Sequence, residues 1–117
     1  MGKSYGLGKN GEEVVCKYLK SKQYKILETN FNCKIGEIDI IAKQKNEIVI
    51  IEVKTRTNKE YGLPAEAVTN RKLKHIYKTA EYYIYTRKIK NIDIRIDVIE
   101  VYFIKGKWYI NHLKKVI

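Results

Sequence analysis

The sequence predicts an α/β domain in the order helix, three strands, helix, two strands. Three observations carry this. Two β-branched runs, residues 38–42 and 48–53, flank a polar break at Gln44, Lys45 and Asn46, which is a hairpin pattern. Ile92, Ile94, Ile96 and Val98 alternate with Asp93, Arg95 and Asp97, the period of a strand. Val15, Tyr18 and Leu19, and later Ile76, Ala80, Tyr83 and Ile84, recur at helical spacing. At 117 residues the whole chain is expected to form one domain with a modest core.

Residues 9–22 read as the first helix. Asn10 can cap it, with Glu13 as the partner in a box-like arrangement. Glu12 lies three and four residues before Val15 and Cys16 and so projects near the apolar face, while Glu13 points outward. Glu12 suits the positive end of a helix, and it equally suits a carboxylate reaching inward. Residues 24–31 read as a strand, followed by a turn at Asn32, Cys33 and Lys34.

In the hairpin, Glu52 and Lys54 point one way, and Val49, Ile51 and Val53 point the other, into a core. Asp39 lies on the face opposite Ile38, Ile40 and Ala42. Folding about the break brings it opposite the stretch 50–52. Glu37 shares its face, either as a supporting carboxylate or as a polar residue at a strand start. Residues 55–63 read as a loop. Pro64 fits the first turn of a second helix, expected to run to Thr86 with an apolar stripe of Val68, Ile76, Ala80, Tyr83 and Ile84. Tyr77, Tyr82 and Tyr85 could stack on bases, but packing is the expectation.

Residues 88–90 form a basic linker. After Val98 the apolar phase shifts to Ile99, Val101 and Phe103, which implies a bulge or a strand buried on both faces. Residues 104–107 read as a hairpin turn and 108–113 as the last strand. Arg95 and Asp97 are expected to pair at a sheet edge. His75 and His112 stand isolated, so neither a histidine metal site nor a catalytic triad is predicted.

The chemistry concentrates at Asp39, Glu52 and Lys54. Charges in an apolar strand are costly unless paired or metal-bound, and adjacent carboxylates repel. A buried ion pair would answer part of that cost. A hard divalent cation would answer both parts, since it selects oxygen ligands and leaves the lysine to act on a water or phosphate. Asp39 one strand back from Glu52 and Lys54 favours the cation. The 24 Lys and Arg against 13 Asp and Glu give a formal charge of +11, which favours polyanions, chiefly nucleic acid. Arg56 and Lys59, beside the site, and Arg71, Lys72, Lys74 and Lys78 on the second helix would meet phosphates or simply face solvent. No stretch approaches a membrane span or a signal peptide, so a cytoplasmic protein is expected, with Cys16 and Cys33 as reduced thiols. No phosphate loop, zinc knuckle or internal repeat appears.

The stretch Gly36-Glu37-Ile38-Asp39, followed by Ile51-Glu52-Val53-Lys54-Thr55-Arg56, resembles the YraN-type family of small bacterial proteins. These are predicted endonucleases of the restriction-endonuclease-like superfamily, distantly similar to archaeal Holliday junction resolvases. The resemblance spans about residues 8–97. Its motif is Asp, a spacer, then Asp/Glu-x-Lys, matched by Asp39, Glu52 and Lys54. One departure is Ile38, where many superfamily members have proline. Gly11-Glu12-Glu13 with Tyr18-Leu19 resembles the helix-one motif, and Pro64-x-Glu66-Ala67-Val68 with Lys72 resembles a further one.

The resemblance implies a restriction-endonuclease-like fold, a central mixed sheet flanked by helices. It implies Mg²⁺- or Mn²⁺-dependent hydrolysis of DNA phosphodiesters, including branched or junction DNA. Asp39 and Glu52, assisted by Glu12 and the carbonyl of Val53, would hold the metal. Lys54 would serve the chemistry, and Lys72 would contact the substrate. A junction needs two cuts, which a symmetric homodimer would suit. The alternative is a non-catalytic nucleic-acid-binding module on the same fold.

Overall fold

The computed structural model describes residues 7–56 and 69–117. The elements are α1 (Leu7–Ser21), β1 (Lys25–Asn32), β2 (Glu37–Gln44), β3 (Glu47–Arg56), α2 (Asn70–Thr86), β4 (Asp93–Ile104) and β5 (Lys107–Leu113). The strands form one sheet in the order β1-β2-β3-β4-β5. All neighbours are antiparallel except β3 and β4, which run parallel. A parallel pair needs a crossover connection, and α2 lies within it. The mixed sheet and its element order are those expected.

Each face of the sheet carries its own core. Val15 and Leu19 of α1 pack with Ile40, Ala42, Val49, Ile51, Ile99 and Val101. Leu73, Ile76, Ala80 and Tyr83 of α2 pack with Ile41, Ile48, Ile50, Ile96 and Val98. The hairpin is thus buried on two sides, because a strand with a parallel neighbour sits at the centre of a covered sheet. Ile38 packs on the α2 side with Ile41, so it does not share the face of Ile40 and Ala42. In β4 the ladder to β3 runs unbroken from Asp93 to Tyr102. The phase shift after Val98 is therefore no bulge: residues 95–101 are buried on both faces.

Several local expectations are corrected. Helix α1 begins at Leu7, which places Asn10 inside it rather than at its cap. Thr69 is extended (φ −80°, ψ 164°) and its hydroxyl accepts from Lys72 N–H, so it is the N-cap of α2 and interrupts a helix expected to run on from Pro64. Pro64 and Val68 lie outside the described residues. Leu73 joins the stripe, whereas Tyr77, Tyr82 and Tyr85 are exposed, because the packed face runs through residues 73, 76, 80 and 83. Thr55 and Arg56 pair with Val101 and Tyr102, so they extend β3 and do not open the loop.

Arg95 and Asp97 pair as expected, on the stretch of β4 that precedes its ladder with β5, which begins at Val98. Arg95 donates twice to Asp97 at 3.0 Å, and also to Glu47 at 3.0 Å and to the Tyr24 hydroxyl at 2.6 Å. His112 is not isolated: Nε2 lies 2.7 Å from Asp97 Oδ2, and Nδ1 lies 2.9 Å from the Tyr18 hydroxyl. Lys115 N–H also donates to Asp97, at 2.8 Å. This network ties α1, the chain leading into β1, the start of β3, and both last strands together. Among the described residues, no helix is long and apolar enough to cross a membrane, and Cys16 and Cys33 are free.

Candidate active site

Strands β2 and β3 pair from Gln44 and Glu47 as far as Ile40 and Ile51, where their ladder ends. Beyond that pair the Asp39 side chain takes over: its Oδ2 accepts from Val53 N–H at 2.8 Å. A carboxylate is thereby set into the fork between two central strands. Strand alternation carries Glu52 and Lys54 onto the α2 side, and the N-terminal turn of α2 brings Lys72 over them. Lys54 Nζ lies 3.5 Å and Lys72 Nζ 3.2 Å from the same oxygen, Glu52 Oε2. Gly36, Glu37, Asp39, Glu52, Lys72 and His75 line a cleft of about 400 Å³.

Burial raises the Asp39 carboxyl, and the charges of Glu52 and Glu12 add to this. The Val53 N–H and the Lys54 ammonium oppose them, and the result is a value pushed up to about 6. Burial is also the first cause that lowers the Lys54 ammonium, followed by its closeness to Lys72. Lys72 is held up, first by its contact with Lys54 and then by Glu52. Of two lysines on one carboxylate, the more buried thus gives up its proton more readily.

Asp39, Glu52, Lys54 and Lys72 come together. Glu12 lines a neighbouring cleft with Thr29 and Asn30, and its charge reaches Asp39. Among the described residues, no three His, Cys, Asp or Glu side chains group as metal ligands. Arg56 follows Glu52 and Lys54 along the same strand face, and its Nε is buried with no hydrogen-bond partner among the described residues. Arg71 is exposed in the first turn of α2, and Lys59 lies outside the described residues.

Two glycines, quoted above within the motifs but given no role there, and a histidine also shape this site. A Cβ on Gly11 would lie 2.5 Å from Thr55 Oγ1, so only glycine lets α1 approach β3 next to Glu12. A Cβ on Gly36 would lie 2.9 Å from Thr79 Oγ1 and 3.0 Å from the His75 ring, so this glycine lets α2 close over the fork. A glycine inside a helical pattern costs about 1 kcal/mol against alanine, and that cost was the available signal for Gly11. His75 had none, because its place depends on how α2 docks.

Fold and cleft define an α/β protein whose carboxylates and lysines meet at a fork of central strands in a mixed sheet. The chain belongs to the family described as Uncharacterised protein family UPF0102, whose model matches residues 11–101. This bears out the YraN-type resemblance, and Glu12, Asp39, Glu52, Lys54 and Lys72 all lie within the match. A UPF0102 protein of Caldicellulosiruptor saccharolyticus is 50% identical over 96 residues, covering 82% of this chain and 81% of its own. One from Caldanaerobacter subterraneus subsp. tengcongensis is 53% identical over 96 residues, covering 82% and 79%. One from Clostridioides difficile is 50% identical over 106 residues, covering 91% of each.

Proposed function

We propose that this protein is a Mg²⁺- or Mn²⁺-dependent nuclease that hydrolyses phosphodiester bonds in DNA, with branched or junction DNA among its candidate substrates. The observation that carries the reading is the state of Asp39. It is a half-buried carboxyl pushed up to about 6, set in the strand fork and sharing one cleft with Glu52. A cation beside the pair would offset both the burial of Asp39 and its repulsion with Glu52. Mg²⁺ commonly takes only one or two carboxylates and completes its shell with waters and substrate phosphates, so Asp39 and Glu52 suffice as a donor set. Glu12 would add charge from the α1 side. When bound, such an ion polarises a phosphoryl oxygen and makes a water more acidic.

The remaining roles belong to the chain itself. Val53 N–H holds the Asp39 carboxylate in the fork. Lys54 orients the attacking water or offsets charge developing on the phosphate. Lys72 and Arg56 bind flanking phosphates, with Arg71 and Lys59 extending the basic surface. Two such chains in a symmetric pair would suit a junction that needs two cuts.

The test is incubation with linear, nicked, flapped and four-way DNA, with and without Mn²⁺, beside Asp39→Ala. Cleavage that requires both Mn²⁺ and Asp39 is the expected result. Cleavage that persists in Asp39→Ala would sink the assignment. One observation favours a non-catalytic nucleic-acid-binding module instead: Lys54 and Lys72 already neutralise Glu52. Binding to these DNA forms without cutting any of them would select that module.

A further inference from the structure

The site face of the sheet continues beyond Lys54. The parallel register sets Lys54 beside Glu100 and Arg56 beside Tyr102. The antiparallel register sets Glu100 beside Asn111 and Tyr102 beside Tyr109. Two rows therefore cross three strands abreast. The row Lys54–Glu100–Asn111 is closed: Glu100 is buried and accepts from the Tyr102 hydroxyl at 2.6 Å and from Asn111 Nδ2 at 2.8 Å. The row Arg56–Tyr102–Tyr109 is open. Tyr102, Tyr109 and Asn111 line a cleft of about 300 Å³, and Tyr109 is 51% exposed. Glu100 engages the Tyr102 hydroxyl, which fixes that side chain and leaves its ring, not its polar end, for a ligand.

At the other end of the open row stands Arg56, whose buried Nε has no hydrogen-bond partner among the described residues. Arg56 as a whole is half-buried, and the fork of its guanidinium suits phosphate. Strands lie about 4.8 Å apart, which puts Tyr109 roughly 10 Å across the sheet from Arg56. A phosphate at one end and an exposed aromatic ring at the other match a nucleotide whose base is out of the stack. A paired base keeps its faces within the duplex and offers none to a tyrosine, whereas an unpaired base stacks on aromatic side chains.

We propose that the Arg56–Tyr102–Tyr109 row is a subsite for one unpaired nucleotide, with its phosphate on Arg56 and its base against Tyr109. This rests on the nuclease reading only for what happens at Lys54. Under that reading, the substrate has single-stranded character next to the cut.

Binding without metal tests the subsite apart from cleavage. A labelled single-stranded oligonucleotide and a blunt duplex of the same sequence are titrated in EDTA at low salt and followed by anisotropy. The proteins are wild type, Tyr109→Ala, Tyr109→Phe and, as an exposed tyrosine elsewhere, Tyr85→Ala. Tyr109→Ala should weaken single-strand binding by roughly five- to a hundredfold, the scale of losing one base stack. Tyr109→Phe and Tyr85→Ala should stay within about twofold of wild type, as should Tyr109→Ala on the duplex, because each keeps the stack or never made it. Unchanged single-strand affinity in Tyr109→Ala, or equal losses on both forms, overturns the subsite. If the Tyr109 dependence holds in a protein that cuts no DNA with Mn²⁺, the subsite stands and the nuclease reading fails. If Asp39-dependent cleavage occurs while Tyr109→Ala binds single strands like wild type, the nuclease reading stands and the subsite fails.

Discussion

Asp39 and Asp97 are both carboxylates drawn into the same sheet, and burial pushes both toward the neutral form. At Asp97 that push is overcome. His112, Arg95 and the Lys115 N–H all donate to it, and together they hold it below the ordinary carboxylate range. At Asp39, among the described residues, the Val53 N–H and the Lys54 charge oppose burial, while Glu52 and Glu12 add to it, and the carboxyl rises to about 6. Two acids of one type, Asp97 buried and Asp39 half-buried, thus sit in opposite electrostatic states. The Asp97 network is saturated and ties elements together. The Asp39 carboxyl has fewer partners, because Lys54 and Lys72 both turn to Glu52.

The comparison breaks most visibly at Asp97. Removing one partner of a buried pair leaves the other charged and unpaired, so Asp97→Ala should lose about 3–5 kcal/mol of stability in urea unfolding at neutral pH. Its folded value lies below its unfolded one, so its contribution is present above the ordinary carboxylate range and is lost as pH falls through the lowered folded value. The deficit of Asp97→Ala should therefore shrink on acidification. A variant as stable as wild type at neutral pH would mean that the network is not a tie.

Lys54→Ala addresses the cleft. Cleavage measured in single turnover should drop by about two orders of magnitude or more, the scale of losing one charge-stabilising donor. Fold and Mn²⁺-induced stabilisation should remain. Equal cutting by variant and wild type would place the chemistry elsewhere.

Asp39→Asn should do the reverse of Asp97→Ala. The unfolded carboxyl titrates near its ordinary value and the folded one at about 6. Between those values the folded state holds more protons, so stability falls as pH rises through the window and is lowest above it. Asparagine still accepts from Val53 N–H and carries no charge. The variant should be more stable than wild type by about 1 kcal/mol at pH 7 to 8, allowing for partial exposure, with the gain vanishing near pH 4. Millimolar Mn²⁺ should raise the melting temperature of wild type more than that of Asp39→Asn, since only a ligand of the folded site stabilises it. Equal shifts would mean that the ion acts elsewhere.

The smallest expected effect is at Lys72. If it meets a phosphate, Lys72→Ala should flatten the dependence of log affinity on log salt by about 0.9 for duplex DNA, with unchanged sequence preference. An unaltered slope would confine Lys72 to its ion pair with Glu52.

The order of elements, the hairpin about Lys45 and Asn46, and the common face of Glu52 and Lys54 were all legible in the sequence. Strand and helix periods encode which side chains point together within one element. The motif around Asp39, Glu52 and Lys54 likewise pointed to the family. Only the tertiary structure decided what covers each face. Ile48 and Ile50 look redundant in an alternating strand until α2 lies over them, and the phase shift in β4 looks like a bulge until both its faces are packed. Lys72 and His75 reach the cleft because α2, inside the parallel crossover, docks beside β2. The clearances at Gly11 and Gly36 set how closely the two helices approach the fork. Arg95, Asp97 and His112 lie as much as 17 residues apart, and no local period relates them. The fold itself makes them one network, because pairing β4 with β3 and β5 brings these polar side chains together in the interior.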